Sequence, residues 1–287
     1  MDVVADLPLA NAECAVWNPI DSHFYWSDIP TGRLFRMKPR DRSWEQVYEA
    51  GQQIGTLVVA EDGSLILGLE AGRIAAWKDG KGRVLVKGIA GEEERYNDGI
   101  VDGHGRLLFG TMPKKGDVSR LYQIADGETR LLLDNIGESN GMAFTANGRT
   151  LYHTDTKKRR ISQYDYDPDS GSLGAGEALI QIGEEEGVPD GLTIDSAGCL
   201  WSARWGGGCV VRYGPDGIEM SRLLLPVKKV SSVTFGGRDL DLMLVTTAGG
   251  DDRWNNGPLA GSVFLGKPGV SGMRPRLGSL WESEVIV

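Results

Sequence analysis

Two carboxylates and two carboxamides recur in this chain at one phase of a repeat. Glu13, Asn97, Asn140 and Asp190 each stand ten or eleven residues ahead of a short apolar run. Ile54 and Ser231 or Ser232 occupy the same phase in the two remaining repeats. If the repeats surround an axis, equivalent positions face one another across it, and Glu, Asn, Asn and Asp converge. Burying such groups is costly unless something satisfies them. Two carboxylates with amide oxygens form an all-oxygen set, suited to a hard or borderline divalent cation such as Ca²⁺, Mg²⁺ or Mn²⁺. Zn²⁺ or Fe²⁺ would bind here without histidine, since none stands at this phase. Hydrogen bonding to backbone and ordered water is the alternative that needs no ion.

The elements that must position these residues are short strands. The apolar runs begin at Phe24, Leu65, Leu107, Leu151, Leu200 and Leu242, with spacings of 41, 42, 44, 49 and 42 residues. Turn residues precede each run, as in Glu61-Asp62-Gly63, Ala146-Asn147-Gly148 and Asp195-Ser196-Ala197-Gly198. Asp-Gly and Asn-Gly between apolar runs signal hairpins, because these residues tolerate positive φ. A third strand follows, as in Gly72–Trp77 and Arg160–Asp165, and a fourth, as in Glu128–Leu133, leads to the next unit. Six units of four strands with no long amphipathic helix predict an all-β, six-bladed β-propeller, a single domain over residues 1–287. The wider spacing after Leu151 comes from two predicted loops, Asp167–Gly171 and Gly183–Gly187, and Gly249–Pro258 is a third. Such loops usually lie on a rim and can shape a pocket mouth.

Composition narrows the function classes. A net charge of −9 argues against a nucleic acid partner and gives no attraction to an anionic membrane. No run approaches the length of a transmembrane helix, and the acidic N-terminus lacks the features of a signal peptide. Three cysteines form an odd, sparse set that fits a reducing compartment, so a cytoplasmic location is expected. The sequence does not fix the oligomeric state, and a monomer is compatible with it.

In order along the chain, Glu13, Arg95-Tyr96-Asn97-Asp98-Gly99, Gly110-Thr111-Met112, Ser139-Asn140-Gly141, Leu151–Thr156 and Pro189-Asp190-Gly191 resemble the gluconolactonase/regucalcin (senescence marker protein) family of six-bladed propellers. The resemblance implies one divalent cation, Ca²⁺ before the others, held by Glu13, Asn140 and Asp190. It implies substrate orientation by Arg95 and Asn97, and hydrolysis of a sugar-acid lactone such as glucono-, xylono- or arabinonolactone. One departure stands out. The family pattern around the Glu is Gly-Glu-Gly-Pro, whereas this chain has Ala12-Glu13-Cys14-Ala15. Cys14 is expected to be a buried thiol rather than a soft ligand.

On this reading a cation polarises the lactone carbonyl and water attacks. Asp190 is expected to serve as general base, with deprotonation of the water by the cation as the alternative. No Ser–His or Cys–His arrangement is evident in the sequence. Two rival functions are a calcium-binding regulatory propeller without turnover and a phosphotriesterase-like hydrolase. Several other residues read as structural: His153 as a hydrogen-bonded core residue, Cys199 and Cys209 as reduced core thiols, and Glu92-Glu93-Glu94 as a solvated loop. Lys114-Lys115 reads as a solvated loop, with reach to an anionic substrate group as the lesser alternative. Arg204–Gly208 has no following helix to receive an anion and reads as a strand end or pocket edge.

Overall fold

Gly63, Gly105, Gly148 and Gly198 adopt φ between 70° and 83°, the left-handed conformation that their Asp-Gly and Asn-Gly-like turns require. Each joins the first strand of a repeat to the second. In the computed structural model, which describes residues 1–88, 94–113 and 118–281, the repeats are six four-stranded antiparallel sheets.

From the axis outward, blade 1 comprises Ala12–Asn18, His23–Asp28, Arg33–Met37 and Trp44–Glu49. Blade 2 comprises Ile54–Val59, Leu65–Leu69, Ile74–Lys78 and Lys81–Val86. Blade 3 has Glu94–Val101, Leu107–Pro113, Ser119–Ala125 and Glu128–Ile136. Blade 4 has Ser139–Phe144, Thr150–Asp155, Arg160–Tyr166 and Leu173–Gln181. Blade 5 has Val188–Ile194, Leu200–Trp205, Cys209–Tyr213 and Glu219–Leu224. Blade 6 takes Val230–Gly236, Leu242–Thr247 and Val263–Gly266, and its outermost strand, Asp2–Ala5, comes from the other end of the chain. That strand ties the N-terminus to the last blade and closes the ring.

The core lies between blades. Each of six apolar clusters joins two adjacent sheets, as where Trp17, Phe24 and Trp26 of blade 1 pack with Leu244 and Val263 of blade 6. Fully burying a side chain of this kind contributes about 1.5–3 kcal/mol. Aspartates then lock the turns at one end of the ring. Asp195 accepts the Ala197 and Cys199 amides on one oxygen, both at 3.0 Å, and Arg212 Nη2 (2.6 Å) and Trp201 Nε1 (3.0 Å) on the other. Asp102 repeats the device in blade 3, accepting from the His104 and Arg106 amides and from Tyr166 Oη at 2.6 Å.

The segment after Gly266 runs across this same end of the channel. Gly272 bridges Asp195, Arg276 Nη2 donates to the Thr145 carbonyl, Gly278 bridges Ala60, and the Ser279 amide donates to the Gly105 carbonyl. Between this strap and the bulged starts of the inner strands lies a cavity of about 180 Å³, bordered by Asp98, Met142, Ser232 and Arg276. With one end strapped, the opposite end is the mouth.

Two expectations change. Glu94 is not a solvated loop residue; it opens the inner strand of blade 3, is buried, and pairs with Arg120. Its neighbours Glu92 and Glu93, and Lys114 and Lys115, lie outside the described residues. The Gly249–Pro258 loop contains a single helical turn, Arg253–Asn256. Among the described residues no helix is long and apolar enough to cross a membrane.

Candidate active site at the mouth of the channel

All six inner strands break register with their neighbours at one level. The breaks fall between Glu13 and Val16, Ile54 and Thr56, Tyr96 and Asp98, Ser139 and Met142, Pro189 and Leu192, and Val230 and Val233. A bulge adds a residue to one strand and re-aims its side chain. Every ring position read from the sequence lies at or inside one of these bulges.

The glycine that follows several of them has a packing reason. A Cβ on Gly141 would sit 2.1 Å from the Leu192 amide nitrogen, and one on Gly191 would sit 2.8 Å from the Ser231 carbonyl. Neighbouring inner strands therefore touch backbone to backbone, which brings the polar residues of successive blades together. In blade 1 the corresponding residue is Cys14, with a left-handed φ of 58°. Its amide donates to Glu13 Oε2 at 2.7 Å, and its thiol turns away to donate to the Gly55 carbonyl at 3.1 Å. Cys14 thus takes a left-handed backbone that Gly141 and Gly191 do not, and its thiol is turned to the inner strand of blade 2.

Glu13, Asn97, Asn140 and Asp190 are 6, 7, 5 and 6% exposed, a common sliver of accessibility. Both amides turn their NH₂ groups into the wall. Asn97 Nδ2 donates to the Ser139 carbonyl at 2.9 Å, and Asn140 Nδ2 donates to Thr156 Oγ1 at 3.1 Å. Thr156 Oγ1 in turn donates to the Pro189 carbonyl at 2.8 Å, immediately before Asp190. This relay couples the placement of Asn140 in blade 4 to that of Asp190 in blade 5, while the Oδ1 atoms of both asparagines accept no hydrogen bond among the described residues. Ser231, by contrast, is spent on structure, donating to the Ala12 carbonyl at 2.6 Å. Ser232 Oγ accepts from the Ala15 amide at 3.2 Å.

The site is over-supplied with negative charge. Burial, then the charge of Asp98, pushes the Glu13 carboxyl up to about 8. Asp190 is raised well above the usual carboxylate range by burial and by Glu13, Glu138 and Asp98, against a hydrogen bond from Asn140. Burial raises Asp98 to about 7 and also raises Glu138. Arg95 is the guanidinium set against these four acids, and burial pulls it down against the field of Cys14, Glu138, Glu13 and Asp190. Its side chain is fixed by bonds from Nη1 to the Tyr96 carbonyl (2.9 Å) and from Nη2 to Met112 Sδ (3.0 Å).

Among the described residues no three His, Cys, Asp or Glu side chains come together as a chelating group. A cation here would use two carboxylates and depend on amide oxygen. The donor set fits that use. It is all oxygen, it gathers buried carboxyls whose charged forms a cation would offset, and its amide oxygens accept no hydrogen bond among the described residues, which matches a hard divalent ion better than one that prefers nitrogen or sulfur.

Glu138, Asp98 and Thr156 belong to this site and were missed from the sequence. Asp98 lies inside a motif already singled out, Thr156 ends one and Glu138 adjoins one, and that placement was the available signal. A Ser–His contact was missed as well. Ser139 Oγ and His153 Nε2 lie 2.8 Å apart, but at 0% and 2% exposure neither can meet a substrate. Burial holds His153 down near 4, so it stays neutral and structural. Cys199 and Cys209 are free and buried, Cys199 just before Leu200–Trp205 and Cys209 opening the antiparallel Cys209–Tyr213, so they lie at opposite ends of that hairpin.

Comparison with known proteins places the chain in context. Residues 11–249 match the family model described as SMP-30/Gluconolactonase/LRE-like region. The chain is 41% identical to pentonolactonase XacC of Haloferax volcanii, over 91% of this chain and 92% of that protein. It is 33% identical to a 6-deoxy-6-sulfogluconolactonase of Pseudomonas putida, over 92% and 94% respectively. Among solved structures, a calcium-binding protein, regucalcin, from Agrobacterium tumefaciens superposes with a TM-score of 0.88 at 25% identity, covering 97% of both chains.

Proposed function

Because the chain belongs to the SMP-30/gluconolactonase/LRE-like family, we propose that it hydrolyses a sugar-acid lactone to the open hydroxy acid, with a divalent cation held by Glu13, Asn140 and Asp190. The observation that carries this reading is the convergence of those three side chains with Asn97 and Arg95 at the end of the channel away from the strap. The named activity of the 41% identical relative makes a pentonolactone the first substrate to try.

Bound there, the cation would supply electrophilic polarisation of the lactone carbonyl. The protein's own groups do the rest. Arg95 and Asn97 donate and accept hydrogen bonds that hold the sugar hydroxyls and the carbonyl region in register. Asp190, which burial and neighbouring acids raise in the cation-free protein, would be ionised beside the bound cation and accept a proton from the attacking water. The water oxygen bonds to the carbonyl carbon, the ring C–O bond breaks, and the proton on Asp190 passes to the departing ring oxygen. Glu13 does not exchange protons with substrate in this scheme. The Thr156 relay keeps Asn140 and Asp190 in place while the ring opens.

Acid release from a panel of aldonolactones, followed in chelator-stripped protein with Ca²⁺, Mg²⁺, Mn²⁺, Zn²⁺ or Fe²⁺ restored one at a time, tests the reading. Turnover above spontaneous hydrolysis with at least one cation supports it. No turnover for any pairing contradicts it.

A further inference from the structure

A second concave site lies on the strapped end of the propeller, away from the mouth. It is a groove of about 850 Å³ between blades 1 and 6, lined by Lys38, Arg40, Arg238, Arg274, Trp17 and Pro275 among others, with no carboxylate in its lining. Its volume is in the range of small-molecule sites, about 300–1,000 Å³. Four cations gathered in one groove stand out on a chain of net charge −9.

Their neighbouring acids are mostly engaged elsewhere, with Asp41 also lying in the field of Lys38. Asp41 is held by Ser43, through its amide and hydroxyl, and Asp241 by Lys267 at 2.7 Å. Asp21 accepts from the His23 amide and from Tyr25 Oη at 2.5 Å. Asp239, next to Arg238, acts on Lys267. Among the described residues, none of Lys38, Arg40, Arg238 and Arg274 makes an ion pair. All four side chains are exposed, so solvent screens their mutual repulsion, and a bound anion would gain the attraction of several at once. The three arginines also offer planar forks that match phosphate bidentately, where lysine offers only a point charge.

We propose that this groove binds a phosphorylated small molecule through Arg40, Arg238, Arg274 and Lys38. The inference does not depend on the lactonase reading, because the groove and the mouth lie at opposite ends of the axis. It does have a route to the channel. Arg274 and Pro275 border both the groove and the axial cavity, so a ligand seated on the strap would stiffen the floor beneath the ring.

Isothermal titration of the full-length, cation-loaded protein with inorganic phosphate, glucose 6-phosphate and ADP, at fixed ionic strength, tests the proposal. The expected result is saturable binding of at least one of these at one equivalent, weakened about tenfold or more by Arg40→Glu or Arg238→Glu, a loss of roughly 1.4 kcal/mol. Sugar phosphate and nucleotide are separated by which of the two binds more tightly than phosphate itself. Asp190→Asn should leave this binding intact, which distinguishes failure here from failure of the lactonase reading. No saturable binding, or binding that survives both charge reversals, overturns the proposal. Binding of anionic vesicles or DNA with none of the three small ligands overturns it equally, in favour of a macromolecular surface.

Discussion

Glu13→Gln in the cation-free protein should stabilise the fold at pH 8 and leave it unchanged near pH 4.5. The folded state holds a proton on Glu13 up to about 8, against an ordinary value of 4.5. Between those values the native protein binds a proton that the unfolded chain has lost, so stability falls as pH rises across this window. At about 1.4 kcal/mol per unit, the full displacement corresponds to a ceiling of about 5 kcal/mol. Glu13 and Asp190 lie in each other's field, so the cost borne by Glu13 alone falls below this ceiling. Glutamine keeps the volume and removes the charge, so the variant avoids that loss. Thermal unfolding of chelator-stripped protein at pH 5 and pH 8 measures the difference, expected at about 5 °C in favour of the variant at the higher pH. Adding a divalent cation at pH 8 should reverse the order, raising the wild type and leaving the variant nearly unmoved. A stripped wild type as stable at pH 8 as at pH 5, relative to the variant, would refute the electrostatic reasoning.

Asp190→Asn should lower turnover about 10²–10⁴-fold, the range for losing a general base, with the propeller's circular dichroism unchanged. Thr156→Val breaks the relay from Asn140 to the Pro189 carbonyl, and cation affinity measured by titration should fall about tenfold or more, as for other residues that orient ligands. Cys14→Val forces a β-branched residue into a φ of 58° and should cost about 2 kcal/mol in denaturant unfolding, whereas Cys14→Gly should be tolerated. Asp195→Ala strands Arg212 and two turn amides and should destabilise the fold by about 3 kcal/mol or more, without altering the residual protein's substrate preference.

The repeat architecture was legible because each second strand announces itself with a turn and an apolar run. Leu65, Leu107, Leu200 and Leu242 begin their strands as expected, while His23 and Thr150 each precede the expected start by one residue. The ring was legible for the same reason: the polar residue beside glycine marks a bulge where two backbones touch. Asn97, Asn140 and Asp190 could therefore be placed by counting. Asp98 and Glu138 could not. They belong to the site through proximity across blades, and nothing in their spacing distinguishes them from ordinary turn acids. The Ser139–His153 contact was hidden because its partners lie on paired strands fourteen residues apart, and only their burial shows that the contact is structural. The basic groove was the least legible feature. Its residues come from two turns of blades 1 and 6 and from the strap, far apart in sequence.

Cation occupancy and lactone turnover, measured together on one stripped preparation, test the central claim most directly. As a single equivalent of divalent cation is titrated back, aldonolactone hydrolysis should rise in proportion to the bound fraction, and Asn140→Ala should weaken both in parallel. Full activity in the stripped protein, or one tightly bound equivalent with no turnover, would contradict the account.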